Sequence, residues 1–233
     1  MKTIGLIGGM SWESSLVYYR LINQLVRERL GGLHSAKCVL VSVDFADIEE
    51  LQRENRWDEA GEAMVRAAQQ AQAGGADCIL ICTNTMHKVA QQVQAAVQLP
   101  FIHIADATAQ AILPGGITTI GLLGTRFTME EQFYSGRLEE QFGLKVVTPA
   151  ADDREIVHCV IYEQLVVGIV EQESRNHYRR IMQALADAGA QGIILGCTEI
   201  GLLVTQSDSP VPLFDTTTIH AEAAVEFAIN GKL

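Results

Sequence analysis

The residues Ile4-Gly5-Leu6-Ile7-Gly8 return almost unchanged as Ile120-Gly121-Leu122-Leu123-Gly124, at an offset of 116 positions. A second pair of stretches, Leu99-Pro100-Phe101 and Val211-Pro212-Leu213, matches at an offset of 112. All four are short apolar runs that contain or adjoin glycine or proline, which is typical of buried strands and the turns beside them. The two similar offsets predict that one unit of about 110 residues has been duplicated.

Apolar runs alternate with amphipathic segments throughout both halves of the chain. The predicted strands are 3–8, 38–43, 78–81, 101–104, 118–123, 145–148, 192–195 and 211–214. The predicted helices are 14–30, 58–73, 85–97, 105–113, 128–142, 156–167, 174–188 and 217–229. Strands that are apolar along their whole length, separated by helices, indicate parallel sheets covered on both faces. We therefore predict an α/β fold with two similar domains, 1–105 together with 215–233, and 106–214.

Composition and charge narrow the class of protein. Of the 233 residues, 48% are hydrophobic and 19% are charged, which excludes a disordered chain. The formal net charge of −11 argues against a nucleic-acid binder, because such proteins present a basic surface. No apolar run approaches the roughly 20 residues of a membrane span. Residues 1–10 lack the long apolar segment of a leader peptide, so we expect a cytoplasmic protein without nucleic-acid or membrane partners.

The five cysteines follow no metal-binding or disulfide pattern. Their number is odd, no two of them form a Cys-x-x-Cys pair, and none lies at zinc-ligand spacing from a histidine. In a reducing compartment they are expected to be thiols. Cys38, Cys78 and Cys159 lie in apolar runs or helix candidates, where a packing role is typical. Cys82 and Cys197 each follow a predicted strand, a position at which catalytic and ligand-binding residues are more common.

Two strand-to-helix turns carry the polar residues of interest, at 82–85 (Cys-Thr-Asn-Thr) and at 197–199 (Cys-Thr-Glu). In open α/β sheets, ligands bind outside the carboxyl ends of the strands. The internal repeat leaves the alignment of the two turns open. An offset of 115 pairs Cys82 with Cys197 and gives more identities, whereas an offset of 114 pairs Thr83 with Cys197.

Two such turns on opposite sides of a small molecule suit a reaction that moves a proton on and off a carbon atom. That reaction needs a base on one face and an acid on the other. A thiol serves well, because a modest fall from its usual pKa of ~8.5 gives a thiolate near neutral pH. We expect the helix that begins after each turn to lower the thiol pKa in this way.

Four motifs together resemble those of the cofactor-independent aspartate/glutamate racemase superfamily, and most of all its aspartate racemase branch. They are Gly8-Gly9-Met10, Asn84-Thr85-Met86-His87, Gly124-Thr125 with Thr128, and Gly196-Cys197-Thr198-Glu199. The chain is also similar to bacterial broad-specificity and L-aspartate/glutamate-specific amino-acid racemases. The resemblance extends over essentially the whole sequence. It implies two Rossmann-like parallel-sheet domains related by a pseudo-two-fold duplication, an active site in the interdomain cleft, no metal or pyridoxal phosphate, and a homodimer.

One position departs from the superfamily pattern. The first-half motif of the family is Cys-Asn-Thr, and the residue directly before Asn84-Thr85 is here Thr83. The resemblance therefore assigns the catalytic position to Thr83 and leaves Cys82 as the alternative. It implies that Cys197 takes the α-proton of an L-amino acid and that the carbon is reprotonated from the Thr83 side. Reaction from the D form is then expected to be weak or absent.

The resemblance also implies a small-molecule partner, an acidic amino acid, and a set of residues that contact it. They are Met10, Gln52, Asn84, Thr85, Thr125, Thr198 and Glu199. Relatives often hold the side-chain carboxylate of the substrate with an arginine in the segment 51–56 and a lysine near Gly168. The first segment here offers Gln52, Arg53 and Arg56, and the lysine is missing. The sequence therefore does not decide whether aspartate is the only substrate or whether glutamate and other amino acids also react. The alternatives are a single-cysteine decarboxylase or cis–trans isomerase of the same fold, and a non-catalytic amino-acid-binding protein.

Overall fold

Each half of the chain folds around its own parallel β-sheet in the computed structural model, which describes residues 1–232. One unit comprises Met1–Ile104 and the segment from His220 onward, and the other comprises Ala105–Ile219. The first sheet has the strand order β2-β1-β3 and the second has the order β5-β4-β6-β7, with every pair parallel. The strands are β1 (Ile4–Gly8), β2 (Cys38–Ser42), β3 (Cys78–Ile81), β4 (Thr119–Gly124), β5 (Lys145–Val147), β6 (Ile193–Gly196) and β7 (Leu213–Asp215). The predicted α/β class is confirmed.

Helices connect the strands of both sheets. They are α1 (Trp12–Leu30), α2 (Phe45–Arg53), α3 (Trp57–Ala73), α4 (Ala90–Ala96), α5 (Ile104–Ile112), α6 (Arg126–Glu130), α7 (Gln132–Phe142), α8 (Ala151–Glu163), α9 (Gln172–Asp187), α10 (Ile200–Leu203) and α11 (Thr216–Asn230). Single 3₁₀ turns cover Thr85–Val89, Leu113–Gly115, Leu165–Val167 and Gln206–Asp208. Within residues 1–232, none of these helices has the length and apolar character that crossing a membrane requires.

The two repeats found in the sequence occupy equivalent places in the two sheets. The first repeat forms β1 and β4, each flanked on both sides by neighbouring strands. In the second repeat, Pro100 O accepts the N–H of Ile79 at 2.9 Å, and Pro212 O accepts the N–H of Ile193 at the same distance. Phe101 forms an isolated bridge with Ile79 where β7 pairs with β6 in the other unit. The duplication is therefore visible in the hydrogen bonds of each sheet.

Both faces of β1 and β3 are buried, which explains why these two strands of the first sheet have no polar side chain, whereas the edge strand β2 is partly exposed. Ile79 and Ile81 pack on one face in a cluster that includes Met64 of α3. Leu80 and Cys82 point to the other face and pack in a cluster with Tyr18 of α1 and with the alanine-rich part of α11. This opposite orientation of neighbouring residues follows from the two-residue period of a strand. The second sheet has its own core, which includes Leu123, Tyr178 and Leu195.

Several predicted elements are wrong in detail. The predicted helices 85–97 and 156–167 each include a 3₁₀ turn, and α2 was not predicted. The segment 101–104 is not a strand beyond its single bridge, because the N–H of Ile104 donates to the side chain of His87 and α5 begins at that residue. The predicted helix 128–142 is broken at Glu131, which has extended backbone angles. The first of its two pieces is capped by Thr125, whose hydroxyl accepts the N–H of Thr128, and not by Thr128 itself.

Candidate active site

The sequence-predicted residues of the first unit lie at the carboxyl ends of two neighbouring strands. Met10 comes two residues after β1 and is 5% exposed. The turn Thr83-Asn84-Thr85 follows β3, which pairs with β1. Gly9 between β1 and Met10 has a φ of +96°, and a β-carbon there would collide with the backbone of Val43. The Gly8-Gly9-Met10 motif is therefore required by the close approach of the chain after β2.

Gln52 is the only polar residue of the segment 51–56 that reaches this turn. It lies on α2, is 4% exposed, and its Nε2 is 3.1 Å from Sδ of Met86. Arg53 and Arg56 are exposed and pair with neighbouring glutamates, Arg53 with Glu49 at 3.6 Å. Arg56 pairs with two more, at 2.9 Å and 2.6 Å. An amide, and no guanidinium, is thus the group that this segment brings beside Met86.

The sheets align Thr83, and not Cys82, with Cys197. Gly5 of the first repeat pairs with Ile79, and its counterpart Gly121 pairs with Ile193. Ile79 and Ile193 are therefore equivalent, at an offset of 114. Counting on by four residues makes Thr83 equivalent to Cys197, whereas Cys82 corresponds to Gly196. The offset of 115, which gives more sequence identities, is not the one that the sheets use.

The side chain of Cys82 is part of the first unit's core. It is 1% exposed and packs among apolar residues that include Tyr18 and Ile102. Burial raises the pKa of this thiol well above its usual value. Thr83, in contrast, is half-buried, while Asn84 and Thr85 are buried. The alternation along the strand end thus turns Cys82 into the core and Thr83 away from it.

The second unit repeats this arrangement with Thr125 and Cys197. They follow β4 and β6, which are neighbours, and the last residues of the two strands, Gly124 and Gly196, pair with each other. A β-carbon on Gly196 would lie 2.7 Å from the carbonyl oxygen of Leu123, and one on Gly124 would lie 2.9 Å from that of Gly196. Both glycines are therefore needed where the two strands end side by side. Thr125 is 6% exposed and its hydroxyl is 3.1 Å from that of Thr128.

Cys197, Thr198 and Glu199 form a buried hydrogen-bonded group. The thiol of Cys197 donates to Oε2 of Glu199 at 3.0 Å, and the hydroxyl of Thr198 donates to the same oxygen at 2.6 Å. The three residues are 7%, 8% and 3% exposed. The backbone N–H groups of Thr198 and Glu199 point to the Cys197 sulfur. The sulfur therefore has a carboxylate to take its proton and two N–H groups to hold a negative charge.

The expectation that a helix start lowers the pKa of Cys197 is wrong. Burial, and next the negative charge of Glu199, raise the pKa of this thiol well above its usual value. The N–H groups of Glu199 and Thr198 act in the opposite direction and do not outweigh them. The helix that follows the turn, α10, has only four residues. The resting group is thus a neutral thiol hydrogen-bonded to a carboxylate.

The role of Glu199 as partner of the thiol was missed in the sequence, where it is expected to contact only the substrate. The available signal was the spacing of two residues between Cys197 and Glu199, which lets both side chains reach the same point in a tight turn.

The cysteines predicted to have a packing role are also thiols of high pKa. Burial raises the pKa of Cys38 to about 11 and that of Cys78 to about 12. Among residues 1–232, no three His, Cys, Asp or Glu side chains are grouped so that they could hold a metal ion.

A family model and several relatives match this chain. The model of the Asp/Glu/hydantoin racemases matches residues 7–224. The chain belongs to this family. A crystal structure of a candidate Asp/Glu racemase from Yersinia pestis is 56% identical, with a TM-score of 0.92, over 99% of this chain and 100% of that one. An aspartate racemase homologue from Pyrococcus horikoshii is 34% identical, with a TM-score of 0.85, over 98% and 99% of the two chains.

A curated relative points to the same class of enzyme. The broad-specificity amino-acid racemase RacX of Bacillus subtilis is 24% identical over 72% of each chain. The predicted resemblance to the aspartate/glutamate racemase superfamily is therefore confirmed, and so is the prediction of an isomerase, because racemases are isomerases. The two-domain α/β fold is that of the racemase structures.

Proposed function

We propose that this protein is an amino-acid racemase that acts on L-aspartate and L-glutamate without a cofactor. The observation that carries the proposal is the thiol of Cys197, hydrogen-bonded to the buried carboxylate of Glu199 at the carboxyl end of β6. A buried thiol whose pKa is shifted by burial and by a neighbouring carboxylate is typical of a catalytic site. The assignment of an amino acid as substrate is supported by the racemase relatives, one of them of broad specificity.

The chemistry begins with two proton transfers on one side of the substrate. The Cys197 proton moves to Glu199 along the 3.0 Å hydrogen bond, which gives a thiolate and a carboxylic acid. The thiolate then takes the α-proton of the L-amino acid and becomes a thiol again. The electron pair of the broken C–H bond stays on the substrate as a carbanion. Because that proton is weakly acidic, oriented N–H groups that stabilise the carbanionic charge are expected to supply much of the catalysis.

Inversion requires a proton from the opposite face of the carbanion. Thr83 is the equivalent of Cys197 in the other sheet, and we assign it this role. Its hydroxyl gives its own proton to the carbanion, or relays one from a water molecule, and is reprotonated by solvent. Glu199 releases the proton that it took from Cys197 to solvent, which restores the starting state. A hydroxyl is a much poorer base than a thiolate, so the same residue removes an α-proton from a D-amino acid poorly. The proposal therefore includes a preference for L substrates in α-hydrogen exchange, whereas inversion has the same kcat/KM in both directions because the enantiomers have equal free energy.

The remaining substrate contacts are proposed from the groups that each unit presents. They are Met10, Gln52, Asn84 and Thr85 in the first unit, and Thr125, Thr198 and Glu199 in the second. Gln52 can hydrogen-bond a side-chain carboxylate but adds no charge, and Arg53 already has Glu49 as its partner. A side-chain carboxylate held by an amide, without a paired cation, is held less strictly in position. This supports a substrate range that includes glutamate as well as aspartate.

The proposal extends to the setting of the enzyme. We infer a cytoplasmic homodimer that needs neither metal nor pyridoxal phosphate. The inference is supported by the motifs that the chain has in common with cofactor-independent racemases. The net charge of −11 favours small-molecule chemistry over binding to nucleic acids. Sedimentation of the purified protein measures the oligomeric state, and activity that survives exhaustive treatment with a chelator and hydroxylamine tests independence from both cofactors.

The test of the function is α-hydrogen exchange in deuterated water. L-Asp, D-Asp, L-Glu and D-Glu are each incubated with the protein and followed by NMR and chiral chromatography together. We expect the L forms to exchange their α-hydrogen faster than the D forms, because Cys197 alone can exchange an L substrate. Inversion should have the same kcat/KM from both forms, because the two enantiomers have equal free energy. Cys197→Ser should abolish both signals, and Thr83→Cys should increase reaction of the D forms. No exchange with any of the four substrates would contradict the proposal.

The same experiment separates the other functions that a single cysteine in this fold could serve. A decarboxylase changes the constitution of its substrate, and a cis–trans isomerase changes the geometry of a double bond, whereas a racemase changes only chirality. An amino-acid-binding protein would show thermal stabilisation by its ligand without any exchange of the α-hydrogen.

A further inference from the structure

A buried histidine holds the turn that carries Thr83. The imidazole of His87 is 3% exposed, with Nδ1 2.8 Å from the backbone carbonyl oxygen of Thr83 and Nε2 3.2 Å from the backbone nitrogen of Ile104. An N–H group can only donate and a carbonyl can only accept, so the ring is neutral and carries its proton on Nδ1. His87 therefore donates to the Thr83 carbonyl and accepts from the Ile104 N–H.

These two bonds connect the candidate turn to a fixed part of the same unit. Ile104 is the first residue of α5, and Phe101 just before it is bridged to β3 through Ile79. The ring of His87 is also held on its sides, with its centroid 4.6 Å from that of His103 and 5.7 Å from that of Phe101. The peptide that follows Thr83 is thereby fixed by a rigid group and not by the turn alone.

We propose that His87 is a positioning residue, whose hydrogen bond to the Thr83 carbonyl sets the direction of the Thr83 side chain for reprotonation. The inference rests on the proposed function, because it assumes that Thr83 delivers a proton. The turn begins directly after β3 and continues into a single 3₁₀ turn, so few regular backbone hydrogen bonds restrain it. A displacement of the donor by about 1 Å is enough to slow a proton transfer by about 10- to 100-fold.

The chain offers a matched control in His220. This ring is also fully buried in the first unit, with Nε2 donating to the carbonyl of Ile102 at 2.8 Å and Nδ1 2.8 Å from the hydroxyl of Tyr18. Like His87, it has both ring nitrogens hydrogen-bonded. Its ring also contacts that of His87, with the two centroids 5.8 Å apart, but neither of its hydrogen-bond partners belongs to the turn. Loss of His220 should weaken the packing beside His87 and leave the two hydrogen bonds of His87 in place.

The experiment uses the ratio of inversion to exchange for L-aspartate in deuterated water. Cys197 can remove the α-proton and return a deuteron to the same face of the substrate. Exchange without inversion therefore needs Cys197 but not Thr83. Inversion needs Thr83 as well. Both events are counted on the same folded molecules, so the ratio does not depend on how much of a variant is folded.

Two substitutions separate the two bonds of His87. Asparagine can replace Nδ1–H as a donor to Thr83, and glutamine can replace Nε2 as an acceptor for Ile104. We expect H87Q to lower the ratio of inversion to exchange by about 10- to 100-fold. H87N should keep the ratio within about twofold of the wild type, and H220Q should leave it unchanged. H87L, which has no donor, serves as a second variant if H87Q yields no folded protein, with the same expected fall.

Each outcome either supports or contradicts the positioning role of His87. A ratio near that of the wild type in H87Q or H87L would overturn the positioning role, and so would an equal fall in H220Q. A wild-type protein that exchanges no α-hydrogen would instead contradict the proposed function, which keeps the two failures apart.

Discussion

Cys82 and Thr83 are neighbours in sequence but lie in different surroundings, and a pair of substitutions can separate the roles that we propose for them. Cys82→Ala removes a sulfur atom from the apolar cluster around Tyr18, where the side chain is 1% exposed. Thr83→Val keeps the shape of the half-buried side chain and removes only its hydroxyl. We expect the first variant to lose stability and keep activity, and the second to keep stability and lose inversion.

The size of each effect follows from burial. Loss of one large atom from a packed core costs about 1–2 kcal/mol in the free energy of unfolding. For a chain of 233 residues this lowers the melting temperature by about 2–8 °C. Thr83→Val should change the free energy of unfolding by less than about 0.5 kcal/mol, as substitutions outside the core usually do. Removal of a general acid should slow inversion by about 10²- to 10⁴-fold.

The assay combines thermal unfolding, followed by calorimetry, with chiral chromatography of L-aspartate and L-glutamate. Cys78→Ala is the matched control, because Cys78 is fully buried in the same cluster four residues earlier on β3. Cys78→Ala should lose stability and keep activity, as we expect of Cys82→Ala. A loss of inversion in Cys82→Ala at unchanged stability, together with a fully active Thr83→Val, would refute the alignment of Thr83 with Cys197 and give the catalytic role to Cys82.

Two further predictions concern charge and pH. Glu199→Gln removes a negative charge that raises the pKa of Cys197, so iodoacetamide should alkylate this thiol at a lower pH than in the wild type, with Cys197→Ser identifying the site. Inversion at neutral pH should nevertheless fall by about 10²- to 10⁴-fold, because the acceptor of the thiol proton is lost, and an unchanged alkylation profile would argue against the pair. The second prediction concerns His220, whose burial lowers its pKa from 6.5 to about 4. The unfolded chain binds this proton below about pH 6.5 and the folded chain only below about pH 4, so stability falls as the pH drops through this interval, by about 3 kcal/mol in all. His220→Gln should flatten that part of the curve of unfolding free energy against pH, and a curve as steep as that of the wild type would mean that other groups cause the loss.

The amino-acid sequence by itself determined the class of fold and the places where the functional residues lie. The repeated Ile-Gly-Leu stretches at residues 4 and 120 predicted the duplication, and each became the strand of its sheet that has neighbours on both sides. Apolar runs between amphipathic segments predicted the parallel sheets. These signals are local, because strand and helix periodicity and turn residues act over a few positions. Motifs at the strand ends were likewise sufficient to identify the racemase family.

The tertiary structure decided which side chain of each turn is available and what state it is in. A slip of one residue separates Cys82 from Thr83. The internal repeat favoured Cys82 and the family motif favoured Thr83, and the pairing of Ile79 with Gly5 aligns Thr83 with Cys197. The pKa of Cys197 was expected to be lowered and is raised, since burial and Glu199 outweigh the backbone N–H groups. Register and electrostatics depend on contacts between residues far apart in the chain and on exclusion of water, and no local pattern in the sequence records either of them.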